Sequence, residues 1–203
     1  MQPVSAPSRP HSPALSQATQ RAQVPPRVAA PQARSNAARP PLTGLAPVAG
    51  AATRLLLLGS FPGVASLRAQ QYYGHPRNQF WPLLGALWGR ADLPALAYAQ
   101  RLDVMQAHGL GLWDVYASCQ REGSLDSAIE QAEANDLAGL VARLPGLRAI
   151  AHNGAESARG LKRSGALGLP LCRLPSSSPA NASWSFERKL AAWRAVFEAH
   201  EIR

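Results

Sequence analysis

The sequence predicts an α/β protein: a three-layer αβα sandwich around a central, mainly parallel four-stranded sheet, preceded by a disordered N-terminal tail. Three observations predict it. Short unbroken apolar runs, each stopped by glycine or polar residues, read as strands buried on both faces. Segments with apolar residues at i, i+3, i+4 and i+7 separate these runs and read as covering helices. The first 50 residues hold ten of the 18 prolines and no apolar periodicity, so they bury too little surface to offset the entropy of ordering.

The tail is assigned residues 1–50 and the folded domain residues 51–203. In the domain, "RLLLL" from Arg54 is the first strand. "FWPLLGALW" follows, with Phe80, Leu83, Leu84 and Leu87 on one helical face. A second helix is expected over about 95–107 and a strand at "GLGLWDVY". "NDLAGLVARL" places Leu137, Leu140, Val141 and Leu144 on one face, with Asn135 or Asp136 as cap. "LRAIA" is a strand, "NGAESARGLKRSG" a short helix ended by Gly165, and "LCRL" the last strand. The closing helix presents Phe186, Leu190, Trp193 and Phe197 together.

Composition narrows the classes. No apolar run approaches the roughly 20 residues that span a bilayer, so no membrane partner is expected. Cys119 and Cys172 fit no metal spacing and read as small buried or half-buried thiols. With no leader pattern, a reducing cytoplasm is the expected location, beside the nucleoid. Net charge is +9. Five arginines and no acidic residue lie in residues 1–50, which leaves 16 basic against 12 acidic residues beyond. A basic tail on a mildly basic body suits a polyanion such as nucleic acid.

Ligands of open parallel sheets bind beyond the carboxyl ends of the strands. Each strand-like run here is followed at once by a polar or glycine-rich cluster: Gly59-Ser60-Phe61-Pro62-Gly63, Trp113-Asp114, His152-Asn153-Gly154, and Pro175 to Ser183. A parallel sheet brings all four to one edge. "GSFPG" is too short and lysine-free for a P-loop, and it lacks the frame of a hydrolase elbow. It reads as a tight turn whose amides and Phe61 ring face a cleft. "PSSSPANAS" offers hydroxyls and backbone donors near a helix start, a means of holding phosphate.

With these blocks in view, the chain resembles the uracil-DNA glycosylase superfamily, and within it the hypoxanthine-DNA (DNA-deoxyinosine) glycosylase branch. The resemblance is carried by "LLLLGSFPG", "QQYYGHPRNQFW", "GLGLWDV", "IAHNG" and "LPSSSPANA", in that order, over residues 54 to about 200. It implies a monofunctional enzyme without metal or cofactor, which hydrolyses the N-glycosidic bond of a deaminated base in DNA and leaves an abasic site; a monomer is expected. In the first motif, uracil-excising relatives carry an Asp or Asn that positions water, whereas Phe61 stands here. In the hypoxanthine branch the catalytic amide is instead the asparagine of the P-x-N-x-F-W block, which is Asn78. "LPSSSPANA" matches the loop that grips DNA beside the flipped nucleotide, which implies DNA contacts by Ser176, Ser177, Ser178, Pro179 and Asn181.

Such chemistry needs a flipped base, a platform to stack it on, and dipoles around the breaking bond. Phe61, Tyr72, Tyr73 and Trp113 are the candidate platforms. Asn78 orients water; Asn153, His152 and the amides of 59–63 face the departing base; Arg77 contacts phosphate. Other readings stay open here. Asn78 also sits where a helix cap belongs, His75 fits simple packing, and Asp114 fits either an acid partner or a cap. A uracil or G·T mismatch glycosylase of the same fold is one alternative function, and an inactive nucleic-acid-binding protein another.

Overall fold

The computed structural model describes residues 40–202. Leu42–Thr43 (β1) is the first element of the described residues, followed by Leu55–Gly59 (β2), Val64–Ala69 (α1), Phe80–Leu87 (α2), Tyr98–Ala107 (α3), Leu110–Asp114 (β3) and Tyr116–Gln120 (β4). Glu130–Ala134 (β5), Leu137–Val141 (α4), Ala149–Asn153 (β6), Leu161–Gly165 (α5), Leu171–Leu174 (β7) and Phe186–Ala199 (α6) complete it. The main sheet has four strands in the order β3-β2-β6-β7. All its pairings are parallel, as the apolar runs predict.

β2 shows why these runs form central strands. Leu55, Leu56, Leu57 and Leu58 are all fully buried, each worth about 1.5–3 kcal/mol of burial. Alternate side chains serve opposite layers. Leu55 and Leu57 pack with Phe80, Trp81, Met105, Trp193 and Phe197 of α2, α3 and α6. Leu56 and Leu58 pack with Leu140 and Leu144 from the segment of α4. The apolar stripe expected on the last helix is real: Trp193 and Phe197 are buried, with Phe186 and Leu190 against the same core.

Three expectations are corrected. The tail was expected to run through residue 50, but among the described residues Leu42 and Thr43 pair with Cys119 and Ser118, and Val48 bridges Leu112. Residues 1–39 lie outside the described residues. The strand expected at "GLGLWDVY" is two strands: the chain leaves the main sheet after Asp114, and β4 joins an antiparallel sheet of order β1-β4-β5. β5, sequence EQAEA, is exposed along its whole length and has no apolar alternation to reveal it. The helix expected over about 95–107 runs from Tyr98 to Ala107, and a separate 3-10 turn at Leu93–Ala95 precedes it across the extended residues Leu96 and Ala97.

Candidate active site

Register sets the site. Gly59 of β2 lies beside Asp114 of β3, and Asn153 of β6 beside Leu174 of β7, so all four strands end at one edge. Beyond that edge lies a cleft of about 870 Å³. Its lining includes Gly59 to Gly63, Tyr73, His75, Asn78, Asp114, Asn153, and Pro175 to Asn181. The edge predicted from four polar clusters is therefore a single concave site.

Two predicted pocket residues are not in it. Trp113 packs in the core with Leu56, Leu58 and Leu140 on the α4 side of the sheet. His152 is fully buried, with Nδ1 2.9 Å from Ser157 Oγ and Nε2 3.2 Å from Ser164 Oγ. Ser157 Oγ donates to Leu58 O at 2.7 Å, so it accepts from His152 Nδ1–H, and Nε2 accepts from Ser164. Burial lowers the His152 pKa and keeps the ring neutral. Each misplaced residue is one position from a correctly placed one, because successive side chains face opposite sides of a sheet. Arg77 is exposed and outside the lining; its backbone N–H donates to His75 Nδ1 at 3.1 Å.

Asp114 and Asn153 occupy the open side. Asn153 is a clamp. Its Nδ2 donates to Tyr73 Oη at 3.1 Å and to Ser177 Oγ at 3.0 Å, and its Oδ1 accepts from Ser177 N–H at 2.9 Å. Both donors are spent on fastening two loops to β6. Ser177 is consequently buried where its loop meets the cleft, which Ser176, Ser178, Pro179 and Asn181 also line. The loop is braced further by Ser178 N–H to Ser176 Oγ and by Gln79 N–H to Ser177 O. Gly154 has φ +105°, and a Cβ there would come within 2.9 Å of Ser176 Cβ. Only glycine allows this approach of β6 to the loop.

Tyr73 stands in the left-handed region with φ +55°, an uncommon state for a bulky side chain and a form of local strain. Its ring stacks on Phe80 at 3.9 Å between centroids. The hydroxyl accepts from Asn153 and keeps its proton, since burial pushes the phenol pKa up. Tyr72 is more deeply packed, donates its hydroxyl to Ala46 O and also lines the cleft. Phe61 is 6% exposed, with the Arg121 guanidinium 5.1 Å from its ring centre.

Asn78 serves its helix and still faces the cleft. Its Oδ1 accepts the Phe80 N–H at 3.0 Å, which leaves a second lone pair. Its Nδ2 makes no hydrogen bond among the described residues. Asp114 is buried at the cleft floor, and its Oδ2 has no partner among the described residues. A Cβ at position 59 would overlap Asp114 Oδ1, so Gly59 makes room for this carboxyl. Burial, reinforced by the Asp126 carboxylate and opposed by Arg121, pushes the Asp114 pKa up to about 7.

Sequence reasoning missed part of the wall. Ser60 Oγ donates to Asp126 Oδ1 at 2.7 Å, and the 124–127 loop lines the cleft with Glu156, Arg159 and Arg173. "GSLDS" carried a turn signal and nothing more. The two arginines sit in segments legible as helix and strand, with no pattern to mark the cleft side.

The described residues thus form a parallel αβα sandwich with a cleft over the strand ends, walled by an amide, a phenol and a buried carboxyl. Residues 47–198 match the family model described as the uracil DNA glycosylase superfamily, and the chain belongs to that family. It is 42% identical over 145 residues to a Methanosarcina acetivorans protein named hypoxanthine DNA glycosylase, across 71% of this chain and 90% of that one. A protein of the same name from Methanosarcina barkeri is 38% identical over 76% of this chain and 97% of its own. A solution NMR structure of a candidate uracil DNA glycosylase from Methanosarcina acetivorans superposes with a TM-score of 0.71 at 40% identity, covering 79% of this chain and 99% of that one.

Proposed function

We propose that this chain is a hypoxanthine-DNA glycosylase that hydrolyses the N-glycosidic bond of a flipped deoxyinosine and leaves an abasic site. The observation that carries the reading is the likeness to the two hypoxanthine DNA glycosylases over most of their lengths. The cleft supports it chemically. The C1′–N9 bond breaks with its electron pair going to the base, water adds at C1′, and the base gains a proton as water loses one. Asn78 Oδ1 spends one lone pair on Phe80 and offers the other to a water hydrogen, turning the water oxygen toward the sugar. The developing base anion meets two donors, the Tyr73 phenol and the protonated Asp114 carboxyl. Hypoxanthine presents acceptors at O6 and N7 to such donors. Asn153 acts indirectly, by holding Tyr73 and the serine loop. Ser176, Ser178 and Asn181, with Arg159 and Arg173 on the rim, contact the DNA backbone. The enzyme works as a monomer, in the cytoplasm beside the nucleoid, with no metal or cofactor.

Duplexes bearing hypoxanthine, uracil, xanthine or a G·T mismatch, treated with alkali after incubation, test the reading. Strand cleavage at hypoxanthine, lost in Asn78→Ala, is expected. Cleavage confined to uracil would overturn the substrate assignment, and DNA binding without any cleavage would overturn the enzyme.

A further inference from the structure

We propose that Leu125 is the side chain this protein inserts into the DNA base stack when a nucleotide is extruded into the cleft. This rests on the reading that the protein acts on a flipped base. Leu125 is the one large hydrophobic side chain left exposed among the described residues, at 60%. It lies on the cleft lining. Its exposure is enforced by its neighbours. Ser124 Oγ accepts the Val64 N–H at 2.9 Å, and Asp126 Oδ1 accepts from Ser60 Oγ at 2.7 Å. The residues on both sides of Leu125 are thus pinned to the Gly59–Gly63 turn and the start of α1. A 3-10 turn with Ala128 N–H on Leu125 O closes the loop behind it. The chain holds an apolar side chain outward on a rigid mount at the mouth of the site. Exposed apolar side chains in that setting unstack bases by entering between them.

Other candidates serve less well. The 175–183 loop on the opposite wall has no large apolar side chain. The Trp184 ring is half-buried, with the Arg188 guanidinium 4.5 Å from its centre. A wedge matters only where a stack resists extrusion, so its loss should be felt on duplex and not on single-stranded substrate.

The test compares Leu125→Ala, Leu125→Met and Trp184→Ala in the full chain, under single-turnover conditions, on one hypoxanthine-bearing oligonucleotide as duplex and as single strand. Leu125→Ala is expected to lose about tenfold to a hundredfold on the duplex while matching the parent on the single strand. Leu125→Met should restore most of the duplex rate. A 2-aminopurine placed beside the lesion should brighten with the parent and stay quenched with Leu125→Ala. Equal losses on both substrates, an unchanged duplex rate, or a duplex-specific loss in Trp184→Ala instead would overturn the assignment. If the parent cleaves neither substrate, the glycosylase reading itself fails, and that result stands apart from every variant outcome.

Discussion

The two faces of the main sheet end in the same kinds of residue and do different things with them. On the α4 and α5 side, His152 is sealed between two serine hydroxyls, and the Ser157 hydroxyl donates a hydrogen bond to Leu58 O. Both ring nitrogens are satisfied and no solvent reaches the ring. On the other side, one residue further along the same strand, Asn153 fastens two loops around an open cleft. Beside it Asp114 keeps an oxygen with no partner among the described residues, and Asn78 keeps an uncommitted amide nitrogen. Polar residues at strand ends therefore signal a site only when some of their hydrogen-bonding capacity is left over. Saturated groups hold the fold together; unsaturated ones are available to a substrate.

The largest break in this contrast is expected at Asn78. Asn78→Ala should lower the rate of hypoxanthine excision by about 10²–10³-fold, the scale of one preorganised dipole. Loss of its bond to the Phe80 amide should cost only about 1 kcal/mol of stability. Rate and denaturant midpoint, measured on the same preparation, separate the two. Next come the neighbours on β6. Asn153→Ala and His152→Ala should each destabilise by about 1–3 kcal/mol, through partners left unpaired. Only Asn153→Ala should also slow excision per folded molecule, because only it frees Tyr73 and Ser177. A comparable slowing in His152→Ala would erase the distinction between the faces.

Asp114 sharpens the comparison through pH. Its carboxyl stays protonated in the folded protein up to about 7, whereas in the unfolded chain it ionises near the ordinary 3.8. Between those values the unfolded chain binds fewer protons, so this residue makes stability fall as pH rises, by at most about 1.4 kcal/mol per unit. Above the upper value its contribution is constant. Asp114→Asn should flatten the slope of urea midpoint against pH over that window. A residual slope from Asp126, also raised by burial, should remain. The excision rate should decline above neutrality in the parent if the acid form donates to the base. The smallest effect is expected on the rim. Arg159→Ala and Arg173→Ala should weaken binding to all DNA sequences alike, each lowering the salt slope by about 1.

Much of this was legible in the sequence, for reasons that also explain what was not. The leucine run of β2 announces a strand buried on both faces, and the rule that parallel strands present their carboxyl ends together located the cleft. That same run carries no phase. A strand apolar on both sides does not say which of two adjacent residues faces which layer, so Trp113 could not be told from Asp114, nor His152 from Asn153. Helix faces were easier, because Trp193 and Phe197 recur with a helical period against polar neighbours. β5 was silent because all its residues face water. Leu125 stands alone among polar residues in "GSLDS", with no apolar pattern to mark it. Its significance lies in Ser60 and Val64, roughly 60 residues away in sequence, which hold its neighbours in place.

The clamp made by Asn153 has a consequence for the order of assembly. Its partners come from Tyr73, far upstream, and from Ser177, beyond the last strand. A growing chain that has emerged only as far as β6 holds three strands of the main sheet but lacks the serine loop and α6. At that stage the Asn153 amide has no Ser177 to bind, and the cleft has no outer wall. Binding competence must therefore arrive late, after contacts of long sequence separation close, the slow class of folding event. Until then a half-made protein has no enclosed cleft in which to hold a base.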